Sequence, residues 1–318
     1  MLAATAFAVF SVSATQARAQ MVEEAWSADG LHGTIATPAA HTRGPAVLII
    51  AGSGPTDRNG NGPQLAPGAP RLETNTYRLI ATDLAANGIL SLRYDKRGIG
   101  ESRAAAVCEE DITFDKSVGD VVTALRSLSA RPDVSSLVIA GHSEGAMLAL
   151  AAAARFPVAG VILLASPGRT YLALMREQLK GKLPPDLDAR ANEILDMLAA
   201  GKAVADVPPP LAALFRPSVQ PFLISIGNFD PAATLAQLKA PALIVHAGRD
   251  LQVAQADFDA LRAARSDTQT LLLPEANHVL KVSPADIAGN VALYSNPAAP
   301  LDPALMPALI AFVRSLAR

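Results

Sequence analysis

The sequence contains a single cysteine, Cys108, which excludes an internal disulfide bond. It also has no charge excess, since 27 Lys and Arg residues and 29 Asp and Glu residues give a formal net charge of −2. Neither this balance nor any long basic run indicates a nucleic-acid partner or an anionic membrane surface. The five histidines are scattered without the spacing of metal ligands, so no metal site is expected.

Hydrophobic residues, by contrast, make up half of the 318 residues, enough for the core of one large domain or two small ones. The first apolar run ends in the small-x-small sequence Ala17-Arg18-Ala19, which predicts a signal peptide over residues 1–19 and an exported, periplasmic or secreted, protein. No Lys or Arg precedes Arg18, and the alternative is a helical or disordered N-terminus of a cytoplasmic protein. No other run is long enough to span a bilayer, so stable membrane insertion of the mature chain is not expected.

From Ala46 onward, short apolar runs alternate with stretches typical of helices. The runs are continuously apolar, as in parallel strands covered on both faces. This pattern predicts the α/β class, with a mostly parallel central sheet and helices on both faces. The predicted strands are 46–51, 89–94, 136–140, 158–165, 242–247 and 268–273, and the predicted helices are 73–87, 116–130, 145–155, 254–265 and 303–316. An antiparallel hairpin over Glu23–Pro38, turning at Asp29-Gly30, is expected at the sheet edge.

One long segment, residues 166–239, interrupts this alternation. It contains helix-like pieces at Tyr171–Leu179 and Leu187–Ala200 and is too long for a simple loop. We therefore predict an inserted helical cap between two parts of one core, residues 20–165 and 240–318. The alternative, one more crossover and a disordered linker, is disfavoured by apolar residues such as Phe215 and Phe222.

The pentapeptide Gly141-His142-Ser143-Glu144-Gly145 follows a predicted strand directly and precedes a predicted helix. A nucleophile elbow has this strand–turn–helix arrangement, with small residues around a strained serine. The helix N-terminus favours developing negative charge beside that serine. The sequence therefore predicts Ser143 as a catalytic nucleophile rather than an ordinary helix-capping serine.

A serine hydroxyl needs a base to take its proton, and the base needs an acid to orient it. The order serine, acid, histidine along the chain leaves His278, in the loop after the last predicted strand, as the base. His142 adjoins the serine, but its side chain is expected to point away. Asp250 follows the strand 242–247 through a glycine turn and is the predicted acid.

Two backbone N–H groups should stabilise the oxyanion. Glu144, the residue after the nucleophile, supplies one, and Ser53, in the loop after the first central strand, supplies the other. That loop is rich in glycine, but no Gly-Lys-Ser/Thr follows it, so phosphate binding is disfavoured. The charged turn 95–102 is interpreted as structural. Asp57-Arg58-Asn59 is interpreted in the same way, and the alternative is that it lines the mouth of the pocket.

Together the segments AGSGPTDRNGN, RYDKRGIGES, GHSEG, GRD and EANH resemble those of the α/β-hydrolase superfamily. They are most similar to exported bacterial carboxylesterases close to serine aminopeptidases and monoacylglycerol lipases. The resemblance covers roughly residue 46 to the C-terminus and implies an eight-stranded sheet without a metal or organic cofactor. Many relatives have a histidine before Gly52, and this chain does not.

The expected function is that of a serine carboxylesterase, which hydrolyses small short-chain acyl esters through an acyl-enzyme. Apolar cap residues, including Leu211, Leu214, Phe215 and Leu223, are expected to bound the acyl pocket. A serine aminopeptidase or amidase with the same triad stays open. It would need a cap carboxylate for the substrate amine, and the candidates are Asp186, Asp188 and Asp230. A hydrolase-fold binding protein without catalysis is the alternative of another class, but it would not need the triad. The oligomeric state is not predicted.

Overall fold

The computed structural model describes residues 21–64, 71–106 and 108–316. The predicted signal peptide, residues 1–19, lies outside this range. Eight strands form one sheet in the order β1-β2-β4-β3-β5-β6-β7-β8, and β3 to β8 are parallel. The strands are β1 Met21–Ala28, β2 Leu31–Pro38, β3 Gly44–Ile50, β4 Leu90–Tyr94, β5 Val134–His142, β6 Gly160–Leu164, β7 Ala242–Ala247 and β8 Gln269–Leu273.

The helices are α1 Thr76–Ala86, α2 Phe114–Ser129, α3 Glu144–Ala153, α4 Tyr171–Leu179, α5 Pro185–Ala199, α6 Ala212–Phe215, α7 Gln220–Gly227, α8 Pro231–Gln237, α9 Gln255–Ala264, α10 Ile287–Ala292 and α11 Leu305–Leu316. Within the described residues, no helix is both long and apolar enough to cross a membrane. The predicted α/β architecture, with helices on both faces of a mostly parallel sheet, is confirmed.

Strand β3 shows why the central strands are apolar throughout. Because successive side chains of a strand point to opposite faces, Leu48 and Ile50 pack on the side of α2 and α3. Val47 and Ile49 pack on the other side, against α1 and α11. Both faces of the sheet are therefore buried, as the continuous apolar pattern predicted.

The hairpin of β1 and β2 lies at the edge of the sheet, where β2 pairs antiparallel with β4. Its turn residues Asp29 and Gly30 both have positive φ, 51° and 77°. Two positive φ values give a turn whose twist matches that of the flanking strands. The hairpin prediction is confirmed.

Five helices, α4 to α8, lie between β6 and β7. Helices α4, α5 and α7 contribute to a separate apolar cluster, whose fully or largely buried members are Leu172, Met175, Ala191, Ile194, Leu195, Leu198, Leu211, Phe215 and Leu223. This segment thus has a small core of its own. Its assignment as a distinct cap over residues 166–239 stays a prediction.

Candidate active site

The residues predicted to carry the chemistry come together at one edge of the sheet. Parallel strands end at the same edge, and the loops after β3, β5, β7 and β8 carry Ser53, Ser143, Asp250 and His278. Open α/β sheets place their ligand sites at these carboxyl ends. Residues up to 225 positions apart in sequence, from Ser53 to His278, therefore meet in space.

The turn around Ser143 is strained, as a nucleophile elbow requires. Ser143 has φ 54° and ψ −122°, an unusual conformation for a residue with a Cβ, and its N–H donates to the Leu164 carbonyl at 2.9 Å. A Cβ at Gly145 would lie 2.5 Å from the Ile50 carbonyl oxygen, and one at Gly141 would lie 2.1 Å from the Gly145 oxygen. Both glycines are needed for the backbones to approach so closely.

Asp250 and His278 form a buried pair. His278 Nδ1 lies 2.7 Å from Asp250 Oδ2, and the other carboxylate oxygen accepts N–H groups from Gln252 and Val253 at 2.7 and 3.0 Å. Burial raises the pKa of Asp250, but the charge and hydrogen bond of His278 and the two N–H donors outweigh it, so this pKa is lowered overall. The carboxylate stays ionised and holds Nδ1 as the donor, which leaves Nε2 to accept a proton.

A cavity of about 90 Å³ contains both Ser143 and His278 in its wall. Among the described residues, Ser143 Oγ has no hydrogen bond to His278. Such catalytic contacts are often long without substrate. The lining residues are Gly52, Ser53, Thr56, Gly60, Leu72, Thr74, Thr76, Tyr77, His142, Ser143, Gln252, His278, Val279 and Tyr294.

The expectation that cap residues bound this cavity is wrong, because all of its lining residues come from outside 166–239. Leu211, Phe215 and Leu223 pack into the separate apolar cluster between α4, α5 and α7. Leu214 is exposed. An apolar side chain of this segment can be buried either against neighbouring helices or around a substrate. Leu211, Phe215 and Leu223 are buried against the helices.

Lys96 contacts both segments that carry the predicted oxyanion donors, the Gly52–Ser53 peptide and Glu144. Lys96 Nζ donates to the Gly52 carbonyl at 2.6 Å and lies 3.1 Å from Glu144 Oε1. Tyr171 donates to the second oxygen of Glu144 at 3.4 Å. Glu144 begins α3, where N–H groups have no partner inside the helix. In the sequence, Lys96 is distinguished only as one residue of a charged turn.

The rest of that turn, and the turn at residue 58, is structural as predicted. Arg58 Nη2 lies 2.8 Å from Asp95 Oδ2, and Asp95 also accepts the Arg58 and Glu101 N–H groups. Arg97 donates to Asp120 at 3.1 Å. None of these side chains lines the cavity with Ser143.

A second set of contacts joins the oxyanion loop to the histidine loop. The Gly52 N–H donates to the Tyr77 hydroxyl at 2.9 Å, Tyr77 lies 2.9 Å from His142 Nδ1, and His142 Nε2 lies 2.8 Å from the His278 carbonyl. Burial, and to a lesser degree the charge of His278, lowers the pKa of His142 to about 3, so its ring is neutral near pH 7. A carbonyl only accepts, so Nε2 carries the proton and Tyr77 donates to Nδ1.

Gly52, Tyr77, His142 and His278 form one hydrogen-bonded chain, in which each residue donates a hydrogen bond to the next. We call it the Gly52–His278 chain. No sequence motif marks Tyr77, which lies on α1 as an ordinary buried aromatic residue. His142, which the sequence places beside the serine without a catalytic role, lines the cavity, and its ring centroid lies 4.7 Å from that of His278. Its place in the pentapeptide was the only available signal.

A larger pocket, of about 710 Å³, lies beside α2 and away from Ser143. Its walls carry charges that pair with one another, such as Arg97 with Asp120. It contains none of the predicted catalytic residues. Among the described residues, no group of three or more His, Cys, Asp or Glu side chains is placed to hold a metal ion.

Comparison with known proteins identifies relatives of this arrangement. A family model described as serine aminopeptidase, S33 (Hydrolase_4) matches residues 72–282. The chain is 31% identical over 257 residues to esterase EstD of Thermotoga maritima, covering 79% of this chain but only 58% of that protein.

Solved structures resemble most of the chain in fold. Est1E from Butyrivibrio proteoclasticus, with ferulic acid bound, matches 92% of this chain and 96% of its own at 16% identity and a TM-score of 0.56. VinJ matches 93% and 99% at 17% identity and a TM-score of 0.57. At these identities the likeness shows the fold alone.

Proposed function

The chain belongs to the serine aminopeptidase S33 family of α/β hydrolases, and we propose that it is a serine carboxylesterase that hydrolyses small short-chain acyl esters through an acyl-enzyme. The observation that carries this proposal is the buried pair of His278 and Asp250, 2.7 Å apart, beside a strained Ser143 in one cavity. The esterase name of the relative from Thermotoga maritima supports it.

In the proposed reaction, Ser143 Oγ attacks the ester carbonyl while His278 Nε2 takes the hydroxyl proton. The ionised Asp250 stabilises the imidazolium that forms. The alcohol leaves with the proton from His278, and the acyl group stays on Ser143. Water, activated by His278, then releases the acid and regenerates the serine.

The oxyanion of each tetrahedral intermediate is proposed to bind the N–H groups of Ser53 and Glu144. The C=O of Gly52 and the N–H of Ser53 belong to one planar trans peptide and point in opposite directions. Since Lys96 holds that carbonyl at 2.6 Å, it turns the Ser53 N–H to the opposite side. Lys96 also contacts the Glu144 carboxylate, so it acts as a positioning residue for both donors.

Lys96→Met should lower kcat by about 10- to 100-fold with a much smaller change in KM. This is below the roughly 10²–10³-fold loss that follows removal of one oxyanion donor, because the Ser53 N–H is misaligned rather than lost. Steady-state kinetics on a nitrophenyl acetate would measure the effect.

The control for Lys96→Met is the double variant with Glu144→Gln. Glu144 is buried, and losing Lys96 alone leaves its carboxylate without a cationic partner, which destabilises the fold. Glu144→Gln removes that charge but keeps the backbone N–H. Urea unfolding should show recovered stability in the double variant, while kcat stays low. Recovery of kcat together with stability would contradict a role for Lys96 at the oxyanion site.

Charge around the cavity favours esters over aminoacyl substrates. A protonated substrate amine needs a carboxylate, and the cavity with Ser143 has none among its described lining residues. Asp186, Asp188 and Asp230 do not line it. Asp230 instead caps α8 by accepting the Ala233 N–H at 2.9 Å.

The size of the cavity sets the acyl preference. At about 90 Å³ the cavity is small, which favours a short acyl group over a long one. Each methylene that fits contributes about 0.8 kcal/mol, and the first that does not fit is excluded sterically. The kcat/KM of a nitrophenyl ester series should therefore peak at short acyl chains, of roughly two to six carbons, and fall beyond them.

The same assay should include aminoacyl anilides. Faster cleavage of an anilide than of any ester would replace the esterase proposal by an aminopeptidase. A maximum at long acyl chains would replace it by a lipase.

A further inference from the structure

A second pocket lies directly beside the catalytic cavity. This outer pocket has a volume of about 350 Å³ and is lined by Arg71, Leu72, Lys182, Leu251, Gln252, Val291, Tyr294 and Ser295. Three residues line both this pocket and the cavity that contains Ser143: Leu72, Gln252 and Tyr294. The outer pocket is thus the neighbouring space into which a substrate held at Ser143 can extend.

The outer pocket is positively charged. Arg71 and Lys182 line it, and no carboxylate does among its described lining residues. Lys182 has no ion pair within the described part of the chain. Arg71 Nε lies 3.4 Å from Glu73 Oε1, but both side chains are exposed, so solvent screens this ion pair. A net positive charge therefore faces whatever enters.

Its walls are also apolar. Leu72 is half-buried, and Leu251 and Val291 are 44% and 38% exposed, so all three present apolar surface to the pocket. Between them Gln252 donates to the Tyr294 hydroxyl at 3.2 Å, so these two polar groups satisfy each other. Apolar walls with cations at the rim suit a ligand that has an apolar body and an anionic end.

We propose that the outer pocket is the subsite for the alcohol part of the substrate and selects alcohols that carry a carboxylate on an apolar framework. This proposal rests on the proposed esterase function, because it assumes that Ser143 acts on an ester in the neighbouring cavity. A partly exposed charge contact changes affinity only about 1.5- to 5-fold. Two cations together should favour an anionic over a neutral alcohol by about 3- to 10-fold in kcat/KM.

Three benzyl acetates test the charge preference with one acyl group and nearly equal leaving groups. They are para-(acetoxymethyl)benzoate, the corresponding benzamide and the corresponding protonated benzylamine, and in each the ring separates the charge from the ester. We expect kcat/KM to be highest for the benzoate, intermediate for the benzamide and lowest for the benzylamine. The ratio of benzoate to benzamide should shrink at high salt, because exposed charges are screened.

Charge-reversal variants locate the effect. Lys182→Glu and Arg71→Glu should each bring the ratio of benzoate to benzamide to one or below. Lys202→Glu is the matched control, since Lys202 is an exposed lysine of the same inserted segment that lines neither pocket. It changes the net charge equally and should leave the ratio unchanged.

The outcomes separate the two proposals. Hydrolysis of the benzamide with no preference for the benzoate overturns the subsite alone. An equal effect of Lys202→Glu also overturns it, because net charge would then account for the preference. If no ester is hydrolysed and a fluorophosphonate does not label Ser143, the esterase function fails, and the subsite falls with it.

Discussion

Ser143→Ala is expected to lower kcat by about 10⁵–10⁶-fold while the fold stays intact. Alanine keeps the Cβ and the backbone conformation of the elbow but removes the only atom that forms the acyl-enzyme. The activity that remains would come from binding and the oxyanion donors alone. Steady-state kinetics on a nitrophenyl acetate would measure the loss, and labelling by a fluorophosphonate should disappear.

Ser166→Ala is the matched control for this variant. Ser166 is also buried and follows the neighbouring strand β6, but its hydroxyl donates only to the Pro167 carbonyl. Its loss should leave kcat nearly unchanged. Normal phosphonate labelling of Ser143→Ala would remove Ser143 from the mechanism. A wild-type chain that is never labelled would favour a binding protein without catalysis.

The second large effect concerns the histidine and its acid. His278→Ala should cost about as much as Ser143→Ala, and Asp250→Asn about 10⁴-fold, because triad members act as a unit. In Asp250→Asn, the amide oxygen can still accept the N–H groups of Gln252 and Val253. The amide nitrogen then faces His278 Nδ1 and donates to it. The ring is forced into the tautomer with a proton on Nε2, which cannot accept the serine proton.

Asp257→Asn tests whether such a loss is specific. Asp257 is also fully buried, where Arg169 donates to both of its oxygens, yet it has no contact with His278. It should lose stability, measured by urea unfolding, rather than kcat. Full activity of Asp250→Asn would refute the assignment of the acid, and equal loss of kcat in Asp257→Asn would point to a general structural effect.

The sequence predicted the strands of the parallel sheet and the candidate triad because their signals are local. A tight elbow has no room for a Cβ at Gly141 or Gly145, so both glycines must be present in the pentapeptide and can be recognised in the sequence. Chain order then limits the acid and the base to loops after later strands. Strand and helix ends differ by up to three residues, as for the helix predicted from Glu73 that begins at Thr76.

The contacts that support this site could not be predicted in the same way. Tyr77 meets Gly52 across 25 residues and His142 across 65, and no local pattern encodes either contact. Lys96 stands in a turn whose other charges form ordinary ion pairs. The apolar residues of the inserted segment are expected from the sequence to bound the acyl pocket, but composition does not tell whether a side chain such as Phe215 lines a pocket or packs into a separate apolar cluster.

The Gly52–His278 chain also makes the stability of the protein depend on pH. In the unfolded chain His142 takes up a proton near pH 6.5, whereas in the folded protein its pKa is about 3. Between these values the unfolded state binds more protons, so the free energy of unfolding falls by up to about 1.4 kcal/mol for each pH unit below 6.5. Above pH 6.5 this contribution is fully present. Only a neutral ring can accept the Tyr77 hydrogen bond at Nδ1, so acidification breaks the link between the oxyanion loop and the histidine loop and favours the unfolded state.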